Sequence, residues 1–539
     1  MGRPVIKLEK MKIFMRDLRW ILPAALGLGL ALSLLGPGTW WLGWLAYAIV
    51  LILGMFVLAA LWRSAGSPRV LILMLLLALF LRLGLGMTFT YILPAYGNAT
   101  EVHQAGYIFR DAYTYDSEAW QLASSGNHLW KAFDKSYGAE DQYGGLLFFH
   151  SFFYRFFSPD AHRPWLMILL SALAGAFGVA LAWKGARQSW GEAPGLVVGW
   201  IMALYPESIL AGSSQIREPF LILFITMAFW GVVDWLANRH RTAWLWMAGS
   251  LAGMVLFSPG VVVIALVGLG GWAWLRQKER RISWWWVGGV GVVVVLAALL
   301  LGVAVGGTLQ VPGGPLANLV NWLRFSVNFG AYQTELNSGW LQTVLSALPE
   351  SLHLPVITGY GIAQPVLPAA IADPAAWPMR ALGILRGLGW YALLPFLLYS
   401  LRSTWKIIDT RERLAWLWLW VISWAWIIIS AARAGGDQWD NPRYRVILLL
   451  FQAALAAQAL TWQHLTRDRW LGRLLAVEGV FLALFSYWYV SRYYLYLRWR
   501  IIHIFIIFAA IAVISAAILI GGWLWDRRSD RRRREDSSR

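Results

Sequence analysis

The chain has 539 residues, of which 59% are hydrophobic and only 14% charged, with a mean hydropathy of +0.55. Soluble globular proteins carry roughly a quarter charged residues, so an assembly of soluble domains is excluded, and long apolar runs indicate one all-α polytopic membrane fold. The net charge of +18 falls in short clusters between those runs, where topology rather than nucleic acid places lysine and arginine. The absence of cysteine excludes disulfides, thiolate catalysis and cysteine metal sites.

In chain order, about fourteen stretches are long or apolar enough to count as spans. They lie near 20–37, 41–62, 70–94, 163–184, 193–206, 216–236, 242–257, 261–275, 283–305, 380–401, 414–432, 446–463, 474–490 and 501–525. The first is read as a retained span, since no small-residue cleavage site precedes the second. The basic clusters at 3–19, Arg63/Arg69, Lys184/Arg187, Arg239/Arg241, 276–281, 402–413, 467–473 and 527–534 hold about thirty of the 46 lysines and arginines. Putting them inside places both termini in the cytoplasm of a multi-pass plasma-membrane protein. The tail at 526–539 is then expected to be disordered and to lie near lipid headgroups.

This topology leaves four polar segments outside, at 95–162, 205–218, 306–379 and 433–445. The 37 tryptophans suit the membrane interface. The spans themselves hold few ionisable residues, chiefly Arg82, Asp234, Arg386 and Glu478. A transporter would place such groups along a path through the bilayer; the acids here cluster in the outside loops, which favours chemistry at the outer face.

The richest stretch runs from Phe109 to Ala123. After Asp111, residues Tyr115, Ala119 and Leu122 recur at helical spacing and share a face. Asp111 opens that helix, where unpaired N–H groups and the dipole favour a carboxylate. Two readings stand for it: a helix cap, or a general base held at the membrane surface. Arg443 and Arg445 fall outside against the positive-inside trend, either snorkelling to headgroups or binding a phosphate bidentately. Arg217-Glu218 is either an ion pair capping its span or part of an acceptor site. Among His103, His128, His150 and His353 no two have metal-ligand spacing.

In order along the chain, four motifs resemble the GT-C superfamily of membrane glycosyltransferases, the group of protein O-mannosyltransferases and lipid A aminoarabinose transferases. They are Asp–x3–Tyr–x3–Ala–x2–Leu from Asp111; Ala203-Leu204-Tyr205-Pro206 followed by Ser213-Ser214 and Arg217-Glu218; Gly389-Trp390-Tyr391; and Pro442-Arg443-Tyr444-Arg445. The resemblance covers about 70–465, the expected catalytic core, with two additional spans in 1–69 and C-terminal spans in 466–525. It implies a polyprenyl-phosphate-linked sugar donor, a protein, lipid or glycan hydroxyl acceptor, and transfer with inversion on the extracytoplasmic face.

The general base then falls to Asp111. The chain has Asp-Ala where many relatives have Asp-Glu, so Asp116 is the competing assignment. Tyr115, Arg217, Arg443, Tyr444 and Arg445 are the expected substrate contacts, with Glu218 orienting the acceptor. Some members of the superfamily use a divalent cation, magnesium or manganese, which Asp111, Asp116 and Glu218 would hold. A polymerase or ligase of lipid-linked glycans, or a flippase, is the competing function.

Overall fold

The computed structural model describes residues 3–134, 143–277, 339–493 and 503–537, with single residues and short pieces between 288 and 332. Among the described residues all regular structure is helical. Eleven of the described helices are long and apolar enough to cross a membrane, and a bent pair at 192–212 makes a twelfth if it is one span. Two of the fourteen expected stretches are not among these. The segment at 242–257 is a helix of 16 residues, about 24 Å long against a hydrocarbon core of about 30 Å. The segment at 283–305 lies almost wholly outside the described residues. The chain is a polytopic membrane protein built in two compact units.

The first unit comprises Met1–Arg324 and Val446–Ala454. Its helices are α1 (Arg3–Leu35), α2 (Trp40–Ser64), α3 (Arg69–Tyr96), α4 (Glu101–Gln104), α5 (Arg110–Ser124), α6 (Gly145–Phe157), α7 (Pro164–Trp190), α8 (Glu192–Leu204), α9 (Pro206–Gly212), α10 (Glu218–Asn238), α11 (Thr242–Phe257) and α12 (Pro259–Arg276). Helix α7 is its centre, with 83% of its most apolar stretch buried against 22% for the first span. The cause is residue size. Gly175, Gly178 and Gly185 on α7 and Gly54 on α2 let neighbouring backbones approach, as small residues do between membrane helices; a Cβ at Gly185 would stand 2.6 Å from the Phe229 ring, and one at Gly54 2.7 Å from Leu173.

Helices α8 and α9 meet at 52° at Tyr205-Pro206. Proline has no N–H, so the carbonyls ending α8 lose helical partners in a place without water. The buried Arg82 of α3 supplies them: its guanidinium donates to the carbonyls of Met202 (3.0 Å), Ala203 (3.2 Å) and Ala78 (3.0 Å) and to the Ser208 hydroxyl (2.8 Å). Gly175 and Gly212 leave the room that this side chain fills. The break is thus a built feature that aims the chain toward Ser213–Glu218.

The two N-terminal spans, which have no counterpart in the resemblance, are tied to the loop before α7. Thr39 N–H donates to Asp160 Oδ2 at 2.8 Å, and the buried Arg163 donates to Thr39 O, Ser158 Oγ and both Asp160 oxygens. Gly38, at φ +83°, makes the turn against Ala161. The paired Arg163 and the Thr39 N–H hold the Asp160 carboxyl well below the usual carboxylate range.

The second unit comprises Phe325–Arg445 and Leu455–Arg539. It contains α13 (Gly339–Leu345), α14 (His353–Ala363), α15 (Leu367–Ala372), α16 (Trp377–Trp405), α17 (Thr410–Ala434), α18 (Asp440–Arg445), most of α19 (Leu449–Thr466), α20 (Trp470–Tyr493) and α21 (Ile504–Ser537). Trp340, Leu341, Ile357, Phe485, Trp488 and Ile504 form an aromatic-rich core there, locked by a 2.9 Å bond from Trp340 Nε1 to Tyr489 OH. The tail expected to be disordered continues the last span as helix to Ser537; arginine is a good helix former.

Candidate active site

The expected helix after Phe109 is α5, which buries Ala112, Tyr115, Asp116, Ala119 and Leu122 along one face. Phe109 is the N-cap residue, so Asp111 is not itself the cap; it sits in the first turn, partly exposed, at the positive end of the helix dipole. The other end of α5 is closed by Arg155 of α6. Its guanidinium donates to the carbonyls of Leu122 (2.6 Å), Ala123 (3.1 Å), Ser125 (2.9 Å) and Asn127 (2.7 Å). Those carbonyls belong to the last turn and the exit of the helix, where no backbone donor reaches.

Asp116, five residues beyond Asp111, is fully enclosed. Tyr154 OH donates to Oδ1 at 2.6 Å, Tyr107 OH donates to Oδ2 at 2.6 Å, and His162 Nε2 lies 2.8 Å from Oδ2. His150 is also fully buried, 3.8 Å from Oδ1. Burial pushes the Asp116 carboxyl up, but the hydrogen bond and charge of His162, with His150 and Tyr107, outweigh it and leave the group below its ordinary value. Burial, and then the Asp116 charge, push the Tyr107 and Tyr154 phenols well up, so both remain donors. Burial pushes His150 down to about 4, which keeps it neutral near pH 7. The His162 ring stacks on Trp120 at 5.5 Å and meets Tyr154 edge-on at 5.1 Å. This network joins α5, α6 and the segments on either side of them.

Helix α6 carries this assembly to the start of α10. Phe149 packs on Phe220 (5.1 Å) and Phe257 (5.7 Å), and the Arg217 guanidinium lies 5.3 Å from the Tyr143 ring. Ser213, Ser214 and Gln215 are buried in the turn between α9 and α10. Glu218 is the first residue of α10 and is buried, and Glu207 stands likewise in the first turn of α9. Both carboxylates occupy the position that a helix dipole favours.

In the second unit the two late motifs converge. The Arg445 guanidinium stacks 3.4 Å from the Trp390 ring centre and donates to the carbonyls of Ile362 (3.3 Å) and Gln364 (2.8 Å). Trp390 Nε1 donates to Ile362 O and Tyr391 OH to Ala363 O, both at 2.9 Å. Together they close the C-terminal end of α14, and Asn441 Nδ2 adds a 2.7 Å bond to Gly361 O.

Arg443 has a different setting. It lies 3.2 Å from Asp440 and 5.2 Å from the Tyr444 ring, which Arg433 also approaches at 5.0 Å. Arg386 stands 4.5 Å from the Trp439 ring and donates to Trp439 O at 3.1 Å. Arginines on aromatic faces keep much of their cationic character for an anion.

Among the described residues, no group of three or more His, Asp or Glu side chains is arranged to hold a metal ion. Asp116 in particular has both oxygens engaged by protein donors, and no step below passes through a cation. No family model and no curated protein matches the chain. Among solved structures, the crystal structure of an oligosaccharyltransferase from Archaeoglobus fulgidus, tethered by a disulfide to an acceptor peptide containing the NVT sequon, superposes with a TM-score of 0.36 and 14% identity over 85% of this chain. The match covers 55% of that structure, so this chain spans about half its length. Similarity at that level leaves function to be argued from the chain's own residues.

His162, Tyr107 and Tyr154 were not singled out by sequence reasoning. They reach Asp116 from 46, 9 and 38 residues away, separations that carry no helical or strand period. His150 was noted only for lacking metal-ligand spacing.

Proposed function

We propose that this protein is a membrane glycosyltransferase that moves a sugar from a polyprenyl-phosphate-linked donor to a hydroxyl acceptor at the extracytoplasmic face. The observation that carries this reading is the division of labour on α5. Asp116 is sealed and saturated and cannot reach an acceptor, whereas Asp111, five residues before it in the first turn of the helix, is partly exposed. Asp111 is therefore the general base, and the Asp116 network is the frame that holds α5.

In this reading the acceptor hydroxyl gives its proton to the Asp111 carboxylate as its oxygen attacks the sugar's anomeric carbon. The bond from that carbon to the phosphate oxygen breaks, and the electron pair leaves with polyprenyl phosphate. Arg443 is assigned to the developing phosphate charge. Glu218 and Arg217 orient the acceptor. Tyr444 supports the arginines, while Arg445 and Tyr115 are assigned to packing, given the carbonyls and the buried face that they serve.

The test is transfer in membranes containing the protein, supplied with radiolabelled polyprenyl-phosphate sugars. Label passing singly to an extractable acceptor supports the reading. Label growing into chains supports the polymerase or ligase instead, and label crossing the membrane while still lipid-linked supports a flippase.

A further inference from the structure

The second unit has an open cleft of about 430 Å³ that the proposed chemistry does not use, lined by Leu398, Leu401, Arg402, Trp405, Lys406, Trp470 and neighbouring residues. Its wall on α16 is graded. Leu398, Arg402 and Lys406 follow one another at four-residue intervals, as do Leu401 and Trp405, so each set shares a helix face. Toward the end of the span the lining changes from leucine, at 398 and 401, to the cations Arg402 and Lys406 with the exposed Trp405 between them. A phospholipid changes in the same sense, from acyl chains to a charged headgroup.

The opposite wall begins α20. Trp470 has the Arg402 guanidinium 4.7 Å from its ring and that of Arg473 at 5.1 Å. Asp468 accepts from Arg402 Nε at 2.9 Å and from Trp470 N–H at 3.1 Å, and Asp526 takes Arg473 in two bonds. Arg402 and Lys406 line the cleft and Asp468 pairs with Arg402, which leaves the lining with an excess of positive charge.

We propose that this cleft binds the headgroup of one anionic phospholipid, with its acyl chains along Leu398, Leu401 and Leu474. The charge excess selects for an anion, and the apolar floor selects a lipid over a soluble phosphate. Basic recesses between membrane helices take anionic headgroups by this combination.

The experiment uses the full chain in detergent. The protein is exchanged against mixed micelles of equal phosphatidylglycerol and phosphatidylcholine, and the retained lipid is counted by mass spectrometry. Wild type is expected to retain phosphatidylglycerol preferentially, with inorganic phosphate unable to displace it. Lys406→Gln should lower that preference about fivefold, and Arg402→Gln with Lys406→Gln should abolish it. Arg411→Gln with Arg413→Gln removes equal charge from the same basic segment outside the cleft, and should leave it unchanged. Equal losses in both double variants, displacement by inorganic phosphate, or undiminished retention in Lys406→Gln would each overturn the site. Lys406 is exposed and makes none of the ion pairs described above, so its single variant keeps the test free of folding effects.

Discussion

Two polar constellations, one in each unit, solve burial in opposite ways. Around Asp116 one carboxylate is enclosed and satisfied by two phenols and an imidazole, with a second, neutral imidazole beside it. Around Trp390, Trp439 and Tyr444, arginines are stacked on aromatic rings and bonded mainly to backbone carbonyls. The first arrangement uses up its charge internally. The second sets several guanidiniums on aromatic faces, with Arg443 also paired to Asp440 at 3.2 Å. The comparison teaches that a charged residue type does not reveal its work: an enclosed, fully bonded carboxylate frames a helix, while a planar cation can be held by rings and carbonyls together.

The largest stability effect should come from the sealed side. Asp116→Ala leaves two buried hydroxyls and an imidazole without their acceptor, and unsatisfied buried groups cost about 1–3 kcal/mol each. The variant should be recovered from membranes at strongly reduced level and melt well below wild type in detergent; an unchanged melting temperature would show that the network is dispensable. Arg445→Ala should cost less, about 2–3 kcal/mol from two carbonyls and one cation–aromatic contact. Arg445→Lys should restore only part of it, because a lysine cannot serve both carbonyls while stacking. Equal melting temperatures for Arg445→Lys and wild type would refute the planar role.

A third expectation concerns pH. His150 has its folded value depressed to about 4 against an ordinary 6.5, so between those values the unfolded chain binds more protons and stability falls as pH falls. Asp116, also depressed, adds to the loss only when pH drops through its folded value, below the ordinary 3.8. Thermal melting followed from pH 7 to pH 4 should therefore decline in wild type. The decline should be shallower in His150→Phe, and identical slopes would assign the acid sensitivity elsewhere. The smallest expected effect is that of chelation. EDTA should leave sugar transfer unchanged, since the mechanism proposed above uses no cation and Asp116 has both oxygens engaged by protein donors; loss restored by magnesium or manganese would contradict that.

Hydropathy made most of the spans legible, because crossing a bilayer constrains a whole run of residues at once. The face of α5 was equally legible, since Ala112, Tyr115, Ala119 and Leu122 repeat at the helical period. What stayed hidden were partners brought together by tertiary packing. Asp111 and Asp116 compete for one role in the sequence, Asp111 favoured by its place in the motif, and Arg443 and Arg445 stand there as a pair. Only the arrival of Tyr107, Tyr154 and His162 at one carboxylate, and of Trp390 and the α14 carbonyls at one guanidinium, tells them apart. Arg82 was visible as a charge in a span, but its role depends on carbonyls about 120 residues away.

The account turns on α5, and the most direct test compares Asp111→Asn with Asp116→Asn in the transfer assay, normalised to inserted protein. The account predicts that Asp111→Asn lowers the transfer rate by about 10²–10⁴-fold with wild-type melting temperature, while Asp116→Asn lowers the melting temperature and keeps substantial transfer per folded molecule. Wild-type transfer by Asp111→Asn, or a selective loss of catalysis in a fully stable Asp116→Asn, would contradict it.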